Sequence, residues 1–414
     1  MEKSDFYRNA RRDLAGPLDG VRVVEATTTW AGPMCGCLLA DFGADVVKVE
    51  HPRVEMVRVA PPFLPGTDPP VGFMQATVNR NKRSLSLDLK APEGRDIFLR
   101  LAARCDVLVE NFRPGTLAEW GLGYEHVRAV RPDVIYVSIS GWGQFGTRHE
   151  RPGYDPLAQA ASGFMSLNGD KDGEPVKAPT FIGDDLAGLH AALAALAALH
   201  HRARTGEGQH VDVSLLDSLL FQSNGYPTLA AMGVDLPRLG NEFRIAAPAR
   251  TYRARDGFVA VGILIDSHWR ILAGVLGRPE LAEHPDYATT LARLARRTQV
   301  DGLVQDWVGA RTTAEVIAAL EAAELPSAQI RTYEEAIRDP LVAERDMLQT
   351  VPQQDGTPAP IVGPAVKLSR TPTRVRTGAP ALGADDAEIL ESLGVSEPER
   401  EALRARGVIA PTRG

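Results

Sequence analysis

Residues 21–50, VRVVEATTTWAGPMCGCLLADFGADVVKVE, contain two apolar runs on either side of a segment with helical composition. The first run, Val21–Glu25, and the last, Asp45–Glu50, have the β-branched content and the length of buried strands. Between them, Gly32-Pro33 is predicted to open a helix that continues to Phe42 and ends at Gly43. A strand, a helix and a second strand in this order predict a parallel sheet covered by helices.

The same alternation continues along the first half of the chain, which predicts the α/β fold class. Residues 56–79 are rich in proline and glycine and are predicted to form a long loop, a kind of segment that often borders a site. No Gly-x-Gly-x-x-Gly fingerprint follows the first strand, which argues against a dinucleotide-dependent dehydrogenase. The other predicted elements are strands at 84–89, 106–110, 134–139 and 210–214, and helices at 93–104, 186–203 and 215–224.

The composition of the 414 residues is that of an ordinary globular protein, with 44% hydrophobic and 24% charged residues. A net charge of −7 argues against a nucleic-acid partner. Met1–Gly16 is polar and lacks the apolar core of a signal peptide, and the longest apolar run, Leu186–His200, is short for a membrane span. We therefore expect a cytoplasmic protein without a membrane partner. Cys35, Cys37 and Cys105 lack the spacing of a disulfide framework or a zinc site and are expected to be buried.

Two adjacent carboxylates, Asp184 and Asp185, stand between the short apolar run 180–182 and a long helix rich in alanine and leucine. An acidic residue at such a junction can cap the helix with its side chain. It can also be a reactive carboxylate held at the positive end of the helix dipole. The residues alone leave both alternatives open, a structural cap and an enzymatic group.

Several motifs in a fixed order resemble the class III CoA-transferases, the CaiB/BaiF-type family that includes formyl-CoA:oxalate and carnitine CoA-transferases. The similarity runs from about residue 17 to the C-terminus, and it is specific because the motifs occur together. They are Leu18–Val23, Ala31–Pro33, Ala40–Glu50, Asn79–Ser84, Val109–Gly115, Arg151–Asp155, Arg204–Gln209 and Asp212–Asp217. The resemblance implies a Rossmann-like large domain, a smaller second domain and an interlocked homodimer in which each chain threads through the other.

The resemblance also implies a nucleophile, because the family's reactive aspartate sits in a Gly-Asp-x-x-x-Gly pattern that matches Gly183, Asp184 and Gly188. Asp184 would attack an acyl-CoA thioester to form a mixed anhydride, and the released CoA thiolate would convert it into an aspartyl-CoA thioester. Backbone N–H groups at the start of the helix can stabilise the oxyanion. Asp185 is expected to point away, since an adjacent like charge raises a carboxyl pKa. The substrates implied are an acyl-CoA donor and a free carboxylic acid acceptor, with no metal and no tightly bound cofactor.

CoA carries phosphates, which suit lysine and arginine side chains on loops at the end of a sheet. By resemblance, the candidate CoA-binding residues are Thr29, Trp30, His51, Lys82, Arg83, Leu87, Lys90, Asn111 and Phe112. The candidate substrate-binding residues are Tyr154, Asp185 and Arg244.

The family also includes α-methylacyl-CoA racemases, which need a second acid–base group, supplied by the histidine of a Gly-His-Asp motif. The matching triplet here is Gly153-Tyr154-Asp155, and a tyrosine with a pKa of about 10 is a poor base at neutral pH. A transferase is therefore favoured over a racemase. Two further alternatives are a CoA-binding protein without turnover, in which Asp184 is only a cap, and slow acyl-CoA hydrolysis.

The sequence departs from its relatives at three places. Glu119 stands where several relatives carry an arginine, and Leu382–Asp386 replaces a Leu-Gly-Glu-His-Thr segment. Gly240–Arg244 contains a single glycine where the oxalate enzyme has a glycine-rich lid, so oxalate is not the expected acceptor.

The texture of the sequence changes near Pro227, where a smaller α+β domain is predicted to begin. A strand pair around Asp256-Gly257 and helices at 269–276 and 298–308 place this domain at residues 227–335. Residues 1–226 are then the N-terminal part of the large domain. Residues 336–414, with a helical hairpin around Ser396-Glu397-Pro398, are predicted to complete it.

Overall fold

The computed structural model describes residues 1–53 and 55–411 of the chain, and these form two compact units. The first unit contains Met1–Met165, Lys177–Gly233 and the described residues from Pro340 onward. The second contains Ser166–Val176 and Val234–Asp339. No sequence signal marked Ser166–Val176 as part of the smaller unit, because apart from the end of one short helix this segment has no regular secondary structure.

The strands of the described residues belong to three sheets, a larger one of six strands and two smaller ones. In chain order they are β1 (Arg22–Ala26), β2 (Asp45–Glu50), β3 (Arg83–Ser86), β4 (Val107–Glu110), β5 (Ile135–Ser140), β6 (Gln209–Ser214), β7 (Ala249–Arg253), β8 (Phe258–Gly262), β9 (Ser327–Gln329), β10 (Leu348–Pro352) and β11 (Pro358–Val362).

The helices cover the faces of the larger sheet and build much of the second unit. In chain order they are α1 (Lys3–Phe6), α2 (Ala31–Asp41), α3 (Met56–Val59), α4 (Phe73–Val78), α5 (Pro92–Ala102), α6 (Thr116–Glu119), α7 (Tyr124–Val130), α8 (Asp155–Ala161), α9 (Phe164–Leu167), α10 (Ile182–Thr205), α11 (Leu215–Phe221), α12 (Tyr226–Ala231), α13 (Asp266–Val275), α14 (Thr290–Ala295), α15 (Arg297–Gly309), α16 (Thr313–Ala322), α17 (Tyr333–Ala336), α18 (Pro340–Glu344), α19 (Asp386–Ser392) and α20 (Glu397–Ala405).

The central sheet has the strand order β3-β2-β1-β4-β5-β6, and every neighbouring pair in it is parallel. The predicted α/β class with a parallel sheet is confirmed. Because the chain proceeds from β1 to one edge and then returns to β4 beside β1, the direction of winding reverses between these two strands. Loops leaving β1 and β4 therefore separate and leave a crevice at the carboxyl ends of the strands.

Both faces of the central sheet are buried, which explains the nearly continuous apolar runs of its strands. On β4, Leu108 packs into one apolar cluster together with Phe98 of α5. Val107 and Val109 alternate with it and pack into the opposite cluster, which includes Ala187 of α10.

Helix α10 covers one face of the sheet and packs closely on α2 through small residues. A Cβ atom at Gly188 would lie 2.8 Å from the carbonyl oxygen of Ala31 and 2.9 Å from the side chain of Met34, so a larger residue would push the two helices apart. This close approach brings the N-terminal turns of α2 and α10 together at the carboxyl edge of the sheet. At 24 residues, α10 is longer than predicted and, by length and composition alone, long enough to cross a bilayer; its buried residues belong to the core of the first unit.

The predicted loop at residues 56–79 is wrong in part, because it contains α3 and α4. Ala76 of α4 joins an apolar cluster with Val351 and Ile361 of the β10–β11 hairpin. Local composition cannot reveal such a distant contact. The three cysteines are buried and free, as expected.

The second unit is built around the antiparallel sheet β7-β8-β9, in which Ala249 pairs with Gly262 and Val259 with Gln329. Its core includes Trp269 of α13 and Val304 of α15.

Candidate active site

A cavity of about 580 Å³ opens at the carboxyl edge of the central sheet, at the point where the winding reverses. Thr28–Ala31, which follows β1, and Asn111–Pro114, which follows β4, line two of its sides. Arg151–Pro156, which lies beyond β5, and Asp184 of α10 also line it. The apolar part of the lining includes Phe181. Ligands of open α/β sheets bind at this position, so the cavity is the candidate site.

Asp184 is the third residue of α10 and lies in its first turn, where backbone N–H groups are not used by the helix itself. Burial raises the pKa of Asp184 from an ordinary 3.8 to about 7, and the nearby charges of Asp155 and Asp185 contribute to the increase. Among the described residues, none donates a hydrogen bond to this carboxyl group or pairs with it. A partly desolvated carboxylate that faces a cavity without a cation partner is a candidate functional group.

Asp155, the first residue of α8, caps the N-terminus of α10. The sequence had suggested Asp184 or Asp185 for this role. Its Oδ1 accepts a hydrogen bond of 2.7 Å from the backbone N–H of Gly183, and its Oδ2 accepts one of 2.6 Å from the amide of Gln159. A Cβ atom at Gly183 would lie 2.9 Å from Asp155 Oδ1, so this contact requires glycine. The predicted cap is therefore wrong: the helix begins at Ile182, and a side chain from another helix supplies the acceptor.

Asp185 is held by a side chain from the loop after β1. The indole N–H of Trp30 donates a hydrogen bond of 2.6 Å to Asp185 Oδ1, and the Trp30 ring packs edge-on against Phe181 with centroids 5.5 Å apart. Burial raises the pKa of Asp185, while the hydrogen bond from Trp30 lowers it. The two adjacent carboxylates thus differ, because Asp185 has a donor and Asp184 has none among the described residues.

The loop after β1 is fixed by the loop after β4. The Asn111 side chain accepts a hydrogen bond from the N–H of Thr28 and donates one to its carbonyl, both at 2.8 Å. Thr29 follows with a positive φ of 58°, a conformation that is costly for a β-branched residue. A Cβ atom at Gly32 would lie 2.5 Å from Thr27 and 2.9 Å from Asn111, so the start of α2 can come this close only with glycine there.

Two aromatic side chains, Phe112 and Trp120, form a surface in the segment that follows β4. The ring of Phe112 packs edge-on against Trp120, with centroids 5.4 Å apart, and the ammonium of Lys90 lies 5.3 Å from the centroid of Trp120. Beneath them, the N–H of Phe112 donates a hydrogen bond of 2.9 Å to Glu110. Burial raises the pKa of Glu110 to about 7. Phe112 and Trp120 line the cavity, so an aromatic face is available to a flat ligand group there.

Two arginines, Arg113 and Arg151, also line the cavity, and both are exposed. Neither guanidinium makes an ion pair or a hydrogen bond with any residue in the described ranges. Arg58 at this edge of the sheet is paired instead, with Glu50 at 2.5 Å.

Several residues predicted to bind CoA do not line the cavity. Lys82 is fully buried and pairs with Glu25 at 2.6 Å, and Leu87 is buried in the core. Arg83 begins β3, so it lies at the amino edge of the sheet, opposite the cavity, where it pairs with Asp45 at 2.8 Å. His51 follows β2 at the carboxyl edge but is exposed outside the cavity lining.

Thr29, Trp30, Asn111, Phe112 and Tyr154 do line the cavity together with Asp184. These predicted residues come from four separate segments that the fold brings to one place.

Arg244 lies in the second unit, where its guanidinium donates a hydrogen bond of 2.7 Å to the carbonyl of Pro237. The departure near the C-terminus has a structural role, because Asp385 and Asp386 accept hydrogen bonds from the N–H groups of Ser84 and Ser86 at 2.8 and 2.7 Å. These bonds tie the C-terminal segment to β3.

A second group of charges is buried beneath the loop after β1. Glu25 accepts hydrogen bonds from Lys48 at 3.1 Å and from the hydroxyl of Thr27 at 2.6 Å, and it pairs with Lys82 through its other oxygen. Lys48 also donates to the carbonyl of Thr27 at 3.0 Å. A Cβ atom at Gly36 would lie 1.8 Å from Glu25, so α2 has glycine where it crosses this cluster. The cluster is sealed from water and supports the loop that leads into the cavity.

The lining residues that sequence reasoning did not predict include Asp155, Arg113, Arg151 and Trp120. Arg113 lies in the recognised motif Val109–Gly115, and Arg151 and Asp155 lie in the motif Arg151–Asp155. Within the latter motif, only Tyr154 was assigned a role. The sequence signal for Asp155 is the Arg151–Asp155 motif alone, and its partner, Gly183, is 28 residues away.

The fold and the cavity together define a parallel α/β protein with a carboxylate of raised pKa at its switch point, a combination typical of enzyme active sites. The class can be narrowed further by comparison with known proteins.

The family described as CoA-transferase family III matches residues 18–386, and the chain belongs to this family. It is 38% identical over 389 residues to a succinyl-CoA:mesaconate CoA-transferase of Haloarcula hispanica, covering 92% of this chain and 97% of that protein. It is 37% identical to a succinate–glutarate CoA-transferase of Agrobacterium fabrum, covering 92% and 96%. It is 34% identical to a formyl-CoA:oxalate CoA-transferase of Streptomyces avermitilis, covering 95% and 99%.

Among solved structures, a CaiB/BaiF family protein from Brucella suis is similar with a TM-score of 0.82 and 34% identity, covering 92% of this chain and all of that one. The predicted class III CoA-transferase family is thereby confirmed, and the protein is a CoA-transferase enzyme.

Proposed function

We propose that this protein moves CoA from an acyl-CoA donor to a free carboxylic acid through a covalent intermediate on Asp184. The observation that carries the proposal is the Asp184 carboxyl group, which faces the cavity from the first turn of α10 with its pKa raised to about 7. At neutral pH a substantial fraction is therefore ionised and able to attack, although it has no cation partner in the described part of the chain.

The proposed reaction begins when the Asp184 carboxylate attacks the thioester carbonyl. The carbon–sulfur bond breaks, the CoA thiolate leaves, and a mixed anhydride forms between Asp184 and the acyl group. The thiolate then attacks the Asp184 side of the anhydride, so that aspartyl-CoA forms and the donor acid departs as a carboxylate. Each step exchanges one acyl bond for another and needs no oxidant.

The second half reverses these steps with a new acid. The acceptor carboxylate attacks the aspartyl thioester and releases the thiolate, which gives a second mixed anhydride. The thiolate attacks the acceptor acyl carbon, so that the new acyl-CoA forms and Asp184 is regenerated as a carboxylate. No proton is gained or lost over the cycle.

The position of Asp184 supports this chemistry in two ways. Unused N–H groups of the first turn of α10 are close to any oxyanion formed on its side-chain carbon. Asp155 holds that turn through Gly183, so the geometry exists before substrate binds.

The CoA contacts are also part of the proposal. The cavity residues Thr29, Trp30, Asn111 and Phe112 are in reach of a bound thioester, and the aromatic surface of Phe112 and Trp120 suits the adenine ring. Lys90 beside Trp120 suits a phosphate. For Lys82 and Leu87, both buried, and for Arg83, at the opposite edge, we propose structural roles.

We further propose that the enzyme acts as a homodimer in the cytoplasm. Large apolar side chains on α10 and α11 are exposed in the single chain, among them Leu193 at 61% and Phe221 at 78%. Large exposed apolar patches mark surfaces that bind partners, and the exposed side chains of these two consecutive helices support such a surface. Light scattering would show a mass of twice the 44.7 kDa chain if this holds.

The test of transfer is mass spectrometry of CoA species. The protein is mixed with succinyl-CoA or acetyl-CoA and a panel of carboxylic acids, with Asp184→Ala as the control. A new acyl-CoA that only the unmutated protein makes would support transfer and would name an acceptor. Release of free CoA without a new thioester would instead indicate hydrolysis, and incorporation of solvent deuterium at the α-carbon would indicate a racemase.

A further inference from the structure

The cavity contains positive charge that the proposed reaction has not yet used. The positively charged side chains among the described lining residues are those of Arg113 and Arg151. Neither has a carboxylate partner in the described ranges. The reacting thioester is neutral and the attacking acid has one carboxylate, so the chemistry at Asp184 does not account for two cations.

The two arginines lie on different sides of the cavity. Arg113 is next to Phe112, whose ring packs on Trp120, and Lys90 lies over the same ring. This combination of aromatic faces and cations suits a nucleotide with its phosphates. Arg113 is therefore on the side where we place CoA.

Arg151 lines the same cavity as Asp184 and belongs to the segment that leads into α8. It lies four residues before Asp155, which binds the N–H of Gly183 directly beside Asp184. Tyr154, between Arg151 and Asp155, also lines the cavity and is 64% exposed. We therefore place a small acyl group bound to Asp184 next to this segment, which brings it beside Arg151 and Tyr154.

We propose that Arg151 selects acyl groups that carry a second carboxylate, by binding the carboxylate remote from the reacting carbon. This inference rests on the proposed function, because it describes the acyl group exchanged at Asp184. Relatives at 37–38% identity are named for succinyl-CoA with mesaconate and for succinate with glutarate, which are all dicarboxylates. A guanidinium binds a carboxylate with two parallel hydrogen bonds. In the described lining, Arg113 is the one other lysine or arginine, and we assign it to CoA.

The proposed mechanism implies the same preference for the donor acyl group and for the acceptor acid. Donor acid and acceptor acid occupy the same place in turn, since each forms an anhydride with Asp184. One arginine therefore serves both, and it selects half-thioesters as donors and dicarboxylates as acceptors. Loss of Arg151 must weaken both preferences together.

The test compares acids and thioesters of equal length. Succinate and butyrate serve as acceptors, and succinyl-CoA and butyryl-CoA as donors, with Arg151→Met and the matched control Arg113→Met. We expect Arg151→Met to lower kcat/KM for succinate and for succinyl-CoA by about 10- to 100-fold, the range for hydrogen bonds to charged groups, and to leave butyrate and butyryl-CoA almost unchanged. Arg113→Met should weaken all CoA donors alike. Arg151→Lys should recover part of the preference.

Equal losses for succinate and butyrate in Arg151→Met would overturn the inference, as would a selective loss of succinate in Arg113→Met. Calorimetric titration of succinate and butyrate into the CoA-loaded protein makes the test independent of turnover. Tighter binding of succinate that disappears in Arg151→Met supports the inference even if no transfer occurs. Equal binding of the two acids by the unmutated protein would refute it, whether or not transfer is observed.

Discussion

Two groups of buried charge lie in the same unit, and they are treated in opposite ways. Glu25, Lys48 and Lys82 are sealed from water, and the carboxylate touches both ammonium groups at 2.6–3.1 Å. Asp184 and Asp185 stand side by side at the cavity, and none of the described lysines or arginines pairs with them. Opposite charges in contact hold a loop in place, whereas like charges beside a cavity raise the pKa of a carboxyl group that a substrate can reach.

The pKa values follow this difference. Burial is the largest cause of the rise in the pKa of Asp184 to about 7, and the like charges of Asp155 and Asp185 add to it. At the sealed cluster, burial lowers the pKa of both lysines, but the nearby carboxylates Glu25, Glu50 and Glu55 outweigh it at Lys48, whose pKa is raised. At Lys82 burial is the larger effect, and its pKa is lowered in spite of the contact with Glu25. Lys48 therefore keeps its charge, and Asp184 is free to lose or keep its proton near neutral pH.

The largest expected effect comes from removing the reactive charge. Asp184→Asn should lower the rate of CoA transfer by at least about 10³-fold, because the covalent route depends on this oxygen. Steady-state assays of new acyl-CoA measure the loss. Asp185→Asn is the matched control and should retain most of its activity, since Asp185 is held by Trp30 and does not react. Equal losses in the two variants would remove the distinction drawn between them.

The sealed cluster should respond through stability. Glu25→Gln leaves two buried ammonium groups without their counter-charge and should lower the free energy of unfolding by about 3–5 kcal/mol. Lys82→Met leaves Glu25 and Lys48 as a one-to-one pair and should cost clearly less. Urea denaturation of both variants compares the two. If Lys82→Met were as unstable as Glu25→Gln, the balance of charge would not be the reason why the cluster stabilises the fold.

The pH dependence of the rate should report the group at the cavity. Asp184 must be ionised to attack, and its pKa is raised to about 7, so kcat/KM should rise with pH and level off above that value. Asp155→Asn removes one like charge, so the pKa of Asp184 should fall and the acid limb should move to lower pH. An acid limb that stays in place would mean that another group controls it.

The sign of the linked stability effect is also fixed. Because the folded pKa of Asp184 is above its unfolded value, its contribution to stability is full below about pH 4 and is lost as the pH rises through about 7. The side chain of the Asp184→Asn variant cannot ionise, so the variant does not lose this contribution. As the pH rises between these values, its melting temperature should therefore increase relative to that of the unmutated protein. Thermal scans across the range measure the difference.

The smallest expected effect concerns the hydrogen bond that separates the two adjacent carboxylates. Trp30→Phe removes the donor 2.6 Å from Asp185 but keeps a ring against Phe181. With Asp185 released, transfer should fall by roughly 10-fold, the lower range for a hydrogen bond to a charged group. Phe181→Leu keeps the indole N–H and should have less effect. Unchanged activity in Trp30→Phe would mean that Asp185 needs no fixed position.

The sequence predicted the central sheet well because its strands are buried on both faces and appear as apolar runs, as in Val23-Val24 and Val46-Val47. Asp184 was predicted as the nucleophile because its glycine spacing matches a family motif, and the structure places it in the lining of the cavity. The cap on α10 could not be predicted, since Asp155 reaches Gly183 from another helix. Lys82 and Arg83 were predicted to bind CoA by resemblance, because cations on a loop suit its phosphates. The structure places Lys82 in the core against Glu25 and Arg83 at the far edge of the sheet.

Trapping of the covalent intermediate tests the central claim most directly. The protein is incubated with succinyl-CoA without an acceptor, quenched with hydroxylamine, digested and analysed by peptide mass spectrometry. The account predicts hydroxamate on the peptide that contains Gly183-Asp184-Asp185, with fragmentation placing it on Asp184. Modification of Asp185, or rapid transfer with no modified aspartate, would contradict it.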